Sequence, residues 1–497
     1  MLEAIVSAAS NLLDIQVVLT LLLGVTIGMI FGALPGVGGM LAMVIALPFT
    51  FGWEPSTAIY FLIGIMGSVT FAGSIPAILL NTPGTGPNVC TCFDGYPMTK
   101  KGQGGKALGM SATASALGAL FGVFILMLCI PFTRAIVLAF SAPEFFWLVM
   151  FGLVSVAFAA RGNMIKGLFT AGLGILISLI GYSPAILAMR FTGGSWYLFD
   201  GLPLIPVLVG LFAVSEMISY SSKGGTIVKD KVPGKLSGVF DGVKEVFRHK
   251  ITFFRSAAIG TGIGIIPGIG GVVASFLAYS TAMQSSKHPE TYGKGEPEGI
   301  IASEAANDAK DGGALIPTLA FGIPGSPMMA ILLGAFLLHG IVPGPQLLEK
   351  NLDIAWILIF GLVIANILTS TVGLSIASYL AKLATIRVVY ITPIVLLLST
   401  SGTYLYRGNI WDVVLMMIAG VLGYTMKKYG FPVICLVMGY LLGILAEKGF
   451  QQTLQSSYGD YSVFFTRPIS IVLIVLMVIL ISLPVINVFR SKRRNIS

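Results

Sequence analysis

Four short segments rich in proline and glycine interrupt apolar stretches of this chain, and they form two matching pairs. The motif Pro-Gly-x-Gly-Gly occurs at 35–39 and again at 267–271, and Pro-Gly-(Thr/Ser) occurs at 83–85 and again at 324–326. The order is the same in both halves, which indicates an internal duplication. Because proline removes a backbone N–H and glycine permits positive φ, each motif predicts a helix that ends inside an apolar region.

Helices broken in this way can bind ions. Where a helix restarts after a break, its free N–H groups and its positive dipole end suit an anion, while unwound carbonyl groups suit Na⁺. Inside a membrane such breaks are tolerated only where protein or a wet cavity supplies hydrogen-bond partners. The alternative is that the glycines are kinks for close helix packing. Four breaks at matched positions favour a binding site.

We therefore expect the four breaks to hold a small anionic substrate near the middle of the membrane. The core spans contain almost no lysine or arginine, so backbone N–H groups and short polar side chains are the expected donors. A bulky side chain at Gly36, Gly84, Gly268 or Gly325 is expected to block the approach of the anion to the backbone and to leave expression normal. The expected side-chain donors are Asn81, Thr82, Thr85 and Ser326. The full predicted substrate site is Pro35, Gly36, Gly38, Gly39, Asn81, Thr82, Gly84, Thr85, Pro267, Gly268, Gly270, Gly271, Pro324, Gly325 and Ser326.

A second candidate site is a cluster of polar residues, Glu304, Asn307, Asp308 and Asp311, whose spacing places them on one face of a helix. Three interpretations are open. The first is binding of a coupling ion, Na⁺ or H⁺, by Glu304, Asn307 and Asp308. The second is a helix N-terminus at the water boundary, with Asp311 capping a new helix at Gly312. The third and weakest is a Mg²⁺ site of a membrane-embedded transferase, formed by Asp308 and Asp311.

The composition places the chain in a membrane. Of 497 residues, 56% are hydrophobic and 10% are charged, and the mean hydropathy is +0.92. Soluble domains contain about 25% charged residues, so a water-soluble enzyme is excluded. At roughly 20 apolar residues per crossing, the length allows about 12 to 16 membrane segments. The predicted fold class is an all-α polytopic membrane protein with broken or re-entrant helices in two inverted repeats.

The sequence lacks the motifs typical of ATP hydrolysis, metal binding and redox chemistry. The sequence contains no G-x-x-x-x-G-K-[ST] motif, so ATP hydrolysis is not expected. The four cysteines and three histidines have no spacing typical of a metal or redox site, so no metal and no cofactor are expected. The net charge of +9 comes from basic residues between apolar segments, which orient the chain and contact anionic lipid. A nucleic-acid partner is therefore not expected.

The distribution of charge predicts the topology. The first 99 residues contain no lysine or arginine, whereas 221–255 contains eight, and the C-terminal tail is basic. Cytoplasmic loops carry the excess of basic residues, so we expect an external N-terminus and a cytoplasmic C-terminus. The segments after the two Pro-Gly-(Thr/Ser) motifs then lie on opposite sides, which predicts inverted halves. The predicted divisions are a membrane repeat 1–220, a cytoplasmic basic connector 221–255 with an amphipathic helix, a second membrane repeat 256–450, and an extra span with a basic tail 451–497.

Longer motifs carry a resemblance to a known family. They are 32–39, 73–84, the Asp-Gly-Tyr-Pro-Met run at 94–98 with the following Lys-Gly-Gln, 264–271, the Ser-Glu-Ala-Ala-Asn run at 303–307, and 313–325. Together they resemble the large membrane subunit of tripartite tricarboxylate transporters, the TctA family, over nearly the whole chain. The chain departs from the family pattern at 86–90 and at 308–311, where Asp-Ala-Lys-Asp is unusually charged.

The resemblance implies a multi-pass protein of the bacterial inner membrane that imports a small carboxylate of the tricarboxylate or dicarboxylate class. The external N-terminus predicted from the charges would then be periplasmic. The resemblance also implies coupling to an ion gradient, and two partners, a small membrane subunit and a periplasmic substrate-binding protein. A stand-alone carboxylate/cation symporter is the alternative within the same class. The alternatives from other classes are an anion channel, which would need no coupling ion, and the transferase, which would need Mg²⁺ and a lipid substrate.

Overall fold

The computed structural model describes residues 2–137, 140–159, 164–183, 188–223, 236–386 and 388–494. The helices of the first half are α1 Leu2–Asn11, α2 Ile15–Ala33, α3 Gly38–Ala46, α4 Pro55–Leu80, α5 Val89–Lys100, α6 Gly104–Val137, α7 Ala142–Ala159, α8 Met164–Ser178, α9 Leu204–Val209 and α10 Ser215–Lys223. Those of the second half are α11 Val239–Arg248, α12 Lys250–Ile265, α13 Gly270–Ser285, α14 Pro297–Phe321, α15 Pro327–Leu338, α16 Pro345–Lys350, α17 Leu352–Leu368, α18 Ala377–Leu383, α19 Val388–Arg407, α20 Ile410–Lys428, α21 Val433–Ser456, α22 Val463–Thr466 and α23 Pro468–Arg494.

The remaining elements are short. One antiparallel hairpin pairs β1 Gly181–Ser183 with β2 Ala188–Arg190. Single π-helical turns, Gly210–Val214 and Thr369–Gly373, extend α9 and α17, and 3₁₀ turns occur at Leu47–Thr50, Trp196–Leu198 and Pro289–Thr291. The predicted all-α class is therefore confirmed.

Many of the helices are apolar and long enough to cross a membrane. Within the described residues, seven meet that condition by length and composition: Ile15–Ala33, Pro55–Leu80, Gly104–Thr133, Leu204–Ser221, Leu352–Gly373, Ile410–Lys428 and Val433–Ser456. Shorter apolar helices, such as α3, α7, α8 and α15, add to them. The polytopic architecture is confirmed, whereas the exact number of segments and the inverted orientation of the halves stay predictions.

The two halves share the geometry of the Pro-Gly-x-Gly-Gly breaks. Helix α2 ends two residues before its motif and α12 ends two residues before the matching one, and α3 and α13 start inside the motifs. Gly36 and Gly38 have φ of 78° and 67°, and Gly268 and Gly270 have 81° and 73°. Side chains disfavour positive φ, so these four positions require glycine. The sequence duplication thus corresponds to a duplicated backbone turn.

The second pair of breaks is duplicated as well. Helices α4 and α14 each carry a proline near the end, and each ends at a left-handed residue, Asn81 with φ 54° and Gly322 with φ 68°. A Cβ at Gly84 would collide with the carbonyl oxygen of Gly32, and a Cβ at Gly325 would lie 2.7 Å from that of Gly264. In each half, the second break therefore packs against the end of the helix that precedes the first break. The expectation that side chains at Gly84 and Gly325 leave the fold intact is wrong, because backbone fills that space.

A buried carboxylate on α5 connects the first half to the second. Asp94 Oδ1 accepts hydrogen bonds from the backbone N–H groups of Gly293, Gly295 and Glu296, each at 2.8 Å. Its Oδ2 accepts one from the Tyr279 hydroxyl at 2.8 Å. These bonds fix the loop that leads into α14. The Asp-Gly-Tyr-Pro-Met run thus has a structural role in positioning α14.

The predicted amphipathic helix of the connector is present as α11. It packs on α6, where Glu245 forms an ion pair of 2.7 Å with Lys106. Burial raises the pKa of Glu245, but the hydrogen bond and charge of Lys106 outweigh it, so that the pKa is lowered. Phe240 and Phe247 are 81% and 63% exposed. Several basic residues used to predict the topology lie outside the described residues, namely Arg161, Lys229, Lys231, Lys235 and Arg387.

We predict that Gly84→Ala and Gly325→Ala lower the amount and the melting temperature of the folded protein. The added methyl group has no space, and overpacking of this kind costs about 1–3 kcal/mol. Gly172→Ala is the matched control, since a Cβ there meets nothing within 4 Å. Thermal melting monitored by size-exclusion chromatography in detergent measures the effect. Wild-type melting of both break variants would contradict the packing role.

Candidate functional site

The four breaks meet at one cavity of about 460 Å³. Both halves of the chain contribute to its wall. The predicted residues that line it are Gly36, Gly38 and Gly39 from the first break, Gly84 and Thr85 from the second, Gly268, Gly270 and Gly271 from the third, and Ser326 from the fourth. The folded chain therefore brings most of the predicted substrate site together.

Other predicted residues do not line this cavity. Asn81 is exposed and ends α4 in the left-handed conformation, while the Thr82 hydroxyl donates to the carbonyl oxygen of Leu80 at 3.0 Å. Asn81 and Thr82 therefore form the end of helix α4, and their placement does not make them ligands. The remaining predicted residues that lie behind the cavity wall are Pro35, Pro267, Pro324 and Gly325.

Helix N-termini supply positive potential at the cavity. Gly38 and Gly39 begin α3, Gly270 and Gly271 begin α13, and all four residues line the cavity. The first N–H groups of a helix have no partner within the helix. Each terminus stabilises a nearby anion by about 0.3–1 kcal/mol when exposed and up to about 2 kcal/mol when partly buried. Ser326 caps α15 by accepting the Met329 N–H at 3.4 Å.

The acidic cluster lies within one continuous helix. Helix α14 passes through Gly312 without interruption, and Glu304, Asn307, Asp308 and Asp311 are all buried. The interpretation as a helix N-terminus at the water boundary, with Asp311 as its cap, is therefore wrong. The failure has a physical reason: Gly312 and Gly313 allow neighbouring backbone to approach α14, and a Cβ at either would collide with α6 or α12.

Glu304 is satisfied by protein groups. Its carboxylate accepts hydrogen bonds from Ser74 at 2.8 Å, from Ser115 at 3.0 Å and from Thr91. These three hydroxyl groups belong to α4, α6 and α5, so Glu304 joins three helices of the first half to α14. Glu304 does not line the cavity. Its contacts explain its burial without a bound ion.

A chain of hydrogen bonds links Glu304 to the cavity through a residue that the sequence analysis missed. Asn88 accepts a hydrogen bond from the cavity residue Thr85. Its amide donates to the Ser74 hydroxyl at 2.6 Å and to the Thr70 carbonyl oxygen at 3.2 Å. Ser74 in turn donates to Glu304. The available signal was an uncharged polar residue directly after the second break, within the segment that departs from the family pattern.

Asn307 and Asp308 are buried without protein partners. They are 2% and 1% exposed, and within the described residues no hydrogen bond reaches the side-chain oxygen or nitrogen atoms of either. Burying an unpaired amide or carboxyl group is unfavourable, so both groups are suited to meet a ligand or an ion. Asn307 lines the cavity.

Lys310 is the second residue that the sequence analysis missed as a site residue. It is 4% exposed, lines the cavity, and forms an ion pair of 2.6 Å with Asp311. Lys310 thus adds a cationic side chain to the backbone N–H groups and short polar side chains that the sequence predicts as donors. The signal was the charged Asp-Ala-Lys-Asp run. Asp311 pairs with Lys310, and the described residues contain no group of three or more His, Cys, Asp or Glu placed to hold a metal ion.

The chain is similar to one known transporter family and to two uncharacterized proteins. The chain matches the model of the tripartite tricarboxylate transporter TctA family over residues 18–438. A relative in Agrobacterium vitis, an uncharacterized 52.8 kDa protein in the TAR-I ttuC' 3' region, is 34% identical over 475 residues, which cover 95% of this chain and 93% of that protein. A second, an uncharacterized protein in the TAR-II ttuC' 3' region of the same organism, is 35% identical over 234 residues, which cover 47% of this chain and 97% of that protein. No solved structure matches the chain.

We predict that Asn307→Leu abolishes binding of a small anion while the folded protein is as stable as the wild type or more so. The substitution removes an unpaired buried amide, whose burial costs about 1–3 kcal/mol, and retains the side-chain size. Melting temperature and ligand binding, measured on the same sample, test this. Asn366→Leu is the control, because that amide is buried but donates to the Leu362 carbonyl oxygen at 2.8 Å. Asn366→Leu should still bind the anion and should be less stable than the wild type. Retained binding in Asn307→Leu together with lost binding in Asn366→Leu would contradict a ligand role for Asn307.

Proposed function

This chain belongs to the tripartite tricarboxylate transporter TctA family, and on that premise we propose that it is the permease subunit of a binding-protein-dependent importer of small carboxylates, driven by an ion gradient. The proposal places it in the bacterial inner membrane with a periplasmic N-terminus and a cytoplasmic C-terminus. Its partners are a small membrane subunit and a periplasmic substrate-binding protein. The basic connector and tail support this orientation, since basic loops remain in the cytoplasm.

The observation that carries the proposal is the convergence of four helix breaks on one cavity. The breaks are far apart in the sequence, two in each half, yet their loops line the same space. Secondary transporters bind substrates at such broken helices, with half-helix N-termini facing anionic groups. The termini of α3 and α13 supply that potential here, and Lys310 adds a positive charge.

Asp308 supports coupling to an ion. An ionisable group buried among membrane helices is typical of proton relays and ion pathways. Its carboxyl oxygens make no hydrogen bond of good geometry within the described residues, so the group can carry a proton or meet a cation. In our proposal Asp308, together with the neighbouring Asn307, contacts the coupling ion, H⁺ or Na⁺. Glu304 positions α14 and does not contact the ion directly.

Uptake by purified protein in proteoliposomes tests the proposed function. We expect uptake of at least one carboxylate from a panel of citrate, succinate and acetate, which requires the binding protein, the small subunit and a Na⁺ or proton gradient. Uptake by this subunit alone, with the same gradient, would indicate the stand-alone symporter. Passage of anions down their own gradient without a coupling ion would indicate a channel. Either result would overturn the proposal, as would the absence of uptake of every carboxylate.

We predict that Asp308→Asn weakens the apparent affinity of transport for the coupling cation by at least about tenfold, the effect of losing one contact to a charged group. The amide has the same size but cannot carry a proton. Uptake measured against the concentration of Na⁺ or H⁺ gives this affinity. Asp353→Asn, at a partly exposed carboxylate in the first turn of α17, is the control and should behave as the wild type. An unchanged cation dependence in Asp308→Asn would remove Asp308 from the coupling site.

A further inference from the structure

Lys310 is a buried cation with an unusual position. It lies on α14, three residues after Asn307, so both side chains lie on the same face of the helix. Both line the cavity, and both are almost completely buried. A lysine is rarely buried in a membrane protein, even beside a carboxylate, because the charge loses its hydration. Because it lies beside a cavity formed by helix breaks, we expect Lys310 to have a specific function there.

Neighbours from both halves hold the lysine side chain in place. Gly271, at the start of α13, faces it: a Cβ there would lie 2.8 Å from Lys310 Cδ and 2.9 Å from Pro87 Cγ. Lys310 thus extends between the third break and the loop that follows the second. Its ammonium group donates to Asp311 Oδ1 at 2.6 Å, which uses one of three N–H donors. The others are available to an acceptor in the cavity.

Asn307 gives an independent indication of a ligand. Neither its amide nitrogen nor its oxygen has a partner within the described residues, although the residue lines the cavity. An acceptor placed between Asn307 and Lys310 would satisfy the unpaired amide nitrogen and the remaining ammonium donors. The N–H groups at the start of α13 adjoin the same place through Gly271. Amide, ammonium and helix N-terminus are together the donor set that a carboxylate accepts.

We propose that Lys310 forms a direct ion pair with one carboxylate of the substrate, that Asn307 donates to the same carboxylate, and that Asp311 holds the ammonium group in place when the cavity is empty. This inference rests on the proposed function and specifies its substrate class. Among the described residues that line the cavity, Lys310 is the one cationic side chain. The start of α3, contributed by the other half of the chain, offers N–H groups to a further carboxylate. The site therefore selects substrates with at least two carboxylates over monocarboxylates.

The competing explanation is that Lys310 and Asp311 are only a structural ion pair. Under that explanation, removing the lysine leaves an uncompensated buried carboxylate and the protein loses stability, but removing both charges restores it. Folding alone does not separate the two explanations. Binding by the doubly neutral variant does, because a structural pair has no part in holding the substrate.

The test compares Lys310→Met/Asp311→Asn with the wild type for melting temperature and for affinity toward citrate, succinate and acetate. We expect the double variant to fold and to bind citrate or succinate at least about tenfold more weakly, the loss expected for a charged hydrogen bond. Lys310→Gln is the second neutral variant, since its amide can still donate to Asp311, and we expect the same loss. Lys310→Arg should retain most of the affinity. Lys350→Met, an exposed lysine outside the cavity, is the control.

Either neutral variant overturns the proposal if it folds and binds with wild-type affinity. Acetate binding as tightly as succinate to the wild type would overturn the selection for two carboxylates. Failure of the proposed function is distinguishable from both, since the wild type itself would then bind no carboxylate.

Discussion

The architecture depends on one constraint: backbone N–H and C=O groups freed by helix breaks in an apolar region need partners. At the four proline- and glycine-rich breaks, some freed N–H groups bond to carbonyl groups at the end of their own helix, as Thr82 does to Pro76. Others lie against the neighbouring break or the common cavity. Gly84 and Gly325 pack against the backbone of Gly32 and Gly264, so that each second break supports the first break of its own half. The remaining N–H groups, at the starts of α3 and α13, face the cavity. A site for anions follows from how the breaks are satisfied.

Helix α14 contains buried polar and charged residues of the candidate site. Some of them make structural contacts to other helices, and others are placed to meet a ligand. Glu304 accepts hydroxyl groups from three helices and holds α14 against the first half. Asp94 fixes the loop that leads into it. Further along the helix, the side chains of Asn307 and Asp308 make no hydrogen bond to the part of the chain that the structure describes, and Lys310 pairs with Asp311. The residues with structural contacts therefore come before Asn307, Asp308 and Lys310 along the chain. Their contacts fix the position of α14 and so of these three side chains.

The sequence was sufficient to predict the all-α membrane class, the duplicated breaks, the connector helix and the glycine-rich loops that line the cavity, because glycine and proline requirements are local and composition is global. It was insufficient for residues whose roles depend on a neighbour. The sequence pattern predicts Asn81 as a hydrogen-bond donor to the substrate, but Asn81 ends helix α4. It predicts a new helix start at Gly312, but Gly312 lies inside α14 and permits close packing of a neighbouring helix. Asn88 and Lys310 were missed because their partners, Ser74 and the cavity, become adjacent only in the folded chain. The orientation of the halves stays a prediction, since it rests on the distribution of basic residues along the sequence.

The most direct test of the central claim is an experimental structure of the protein with a bound carboxylate, obtained by electron cryo-microscopy in the presence of saturating citrate or succinate. We expect ligand density in the cavity between the glycine loops at 36–39 and 268–271, with one carboxylate within hydrogen-bond distance of Lys310 Nζ and Asn307 Nδ2. Ligand density elsewhere in the protein, with the cavity closed by the surrounding side chains, would contradict it.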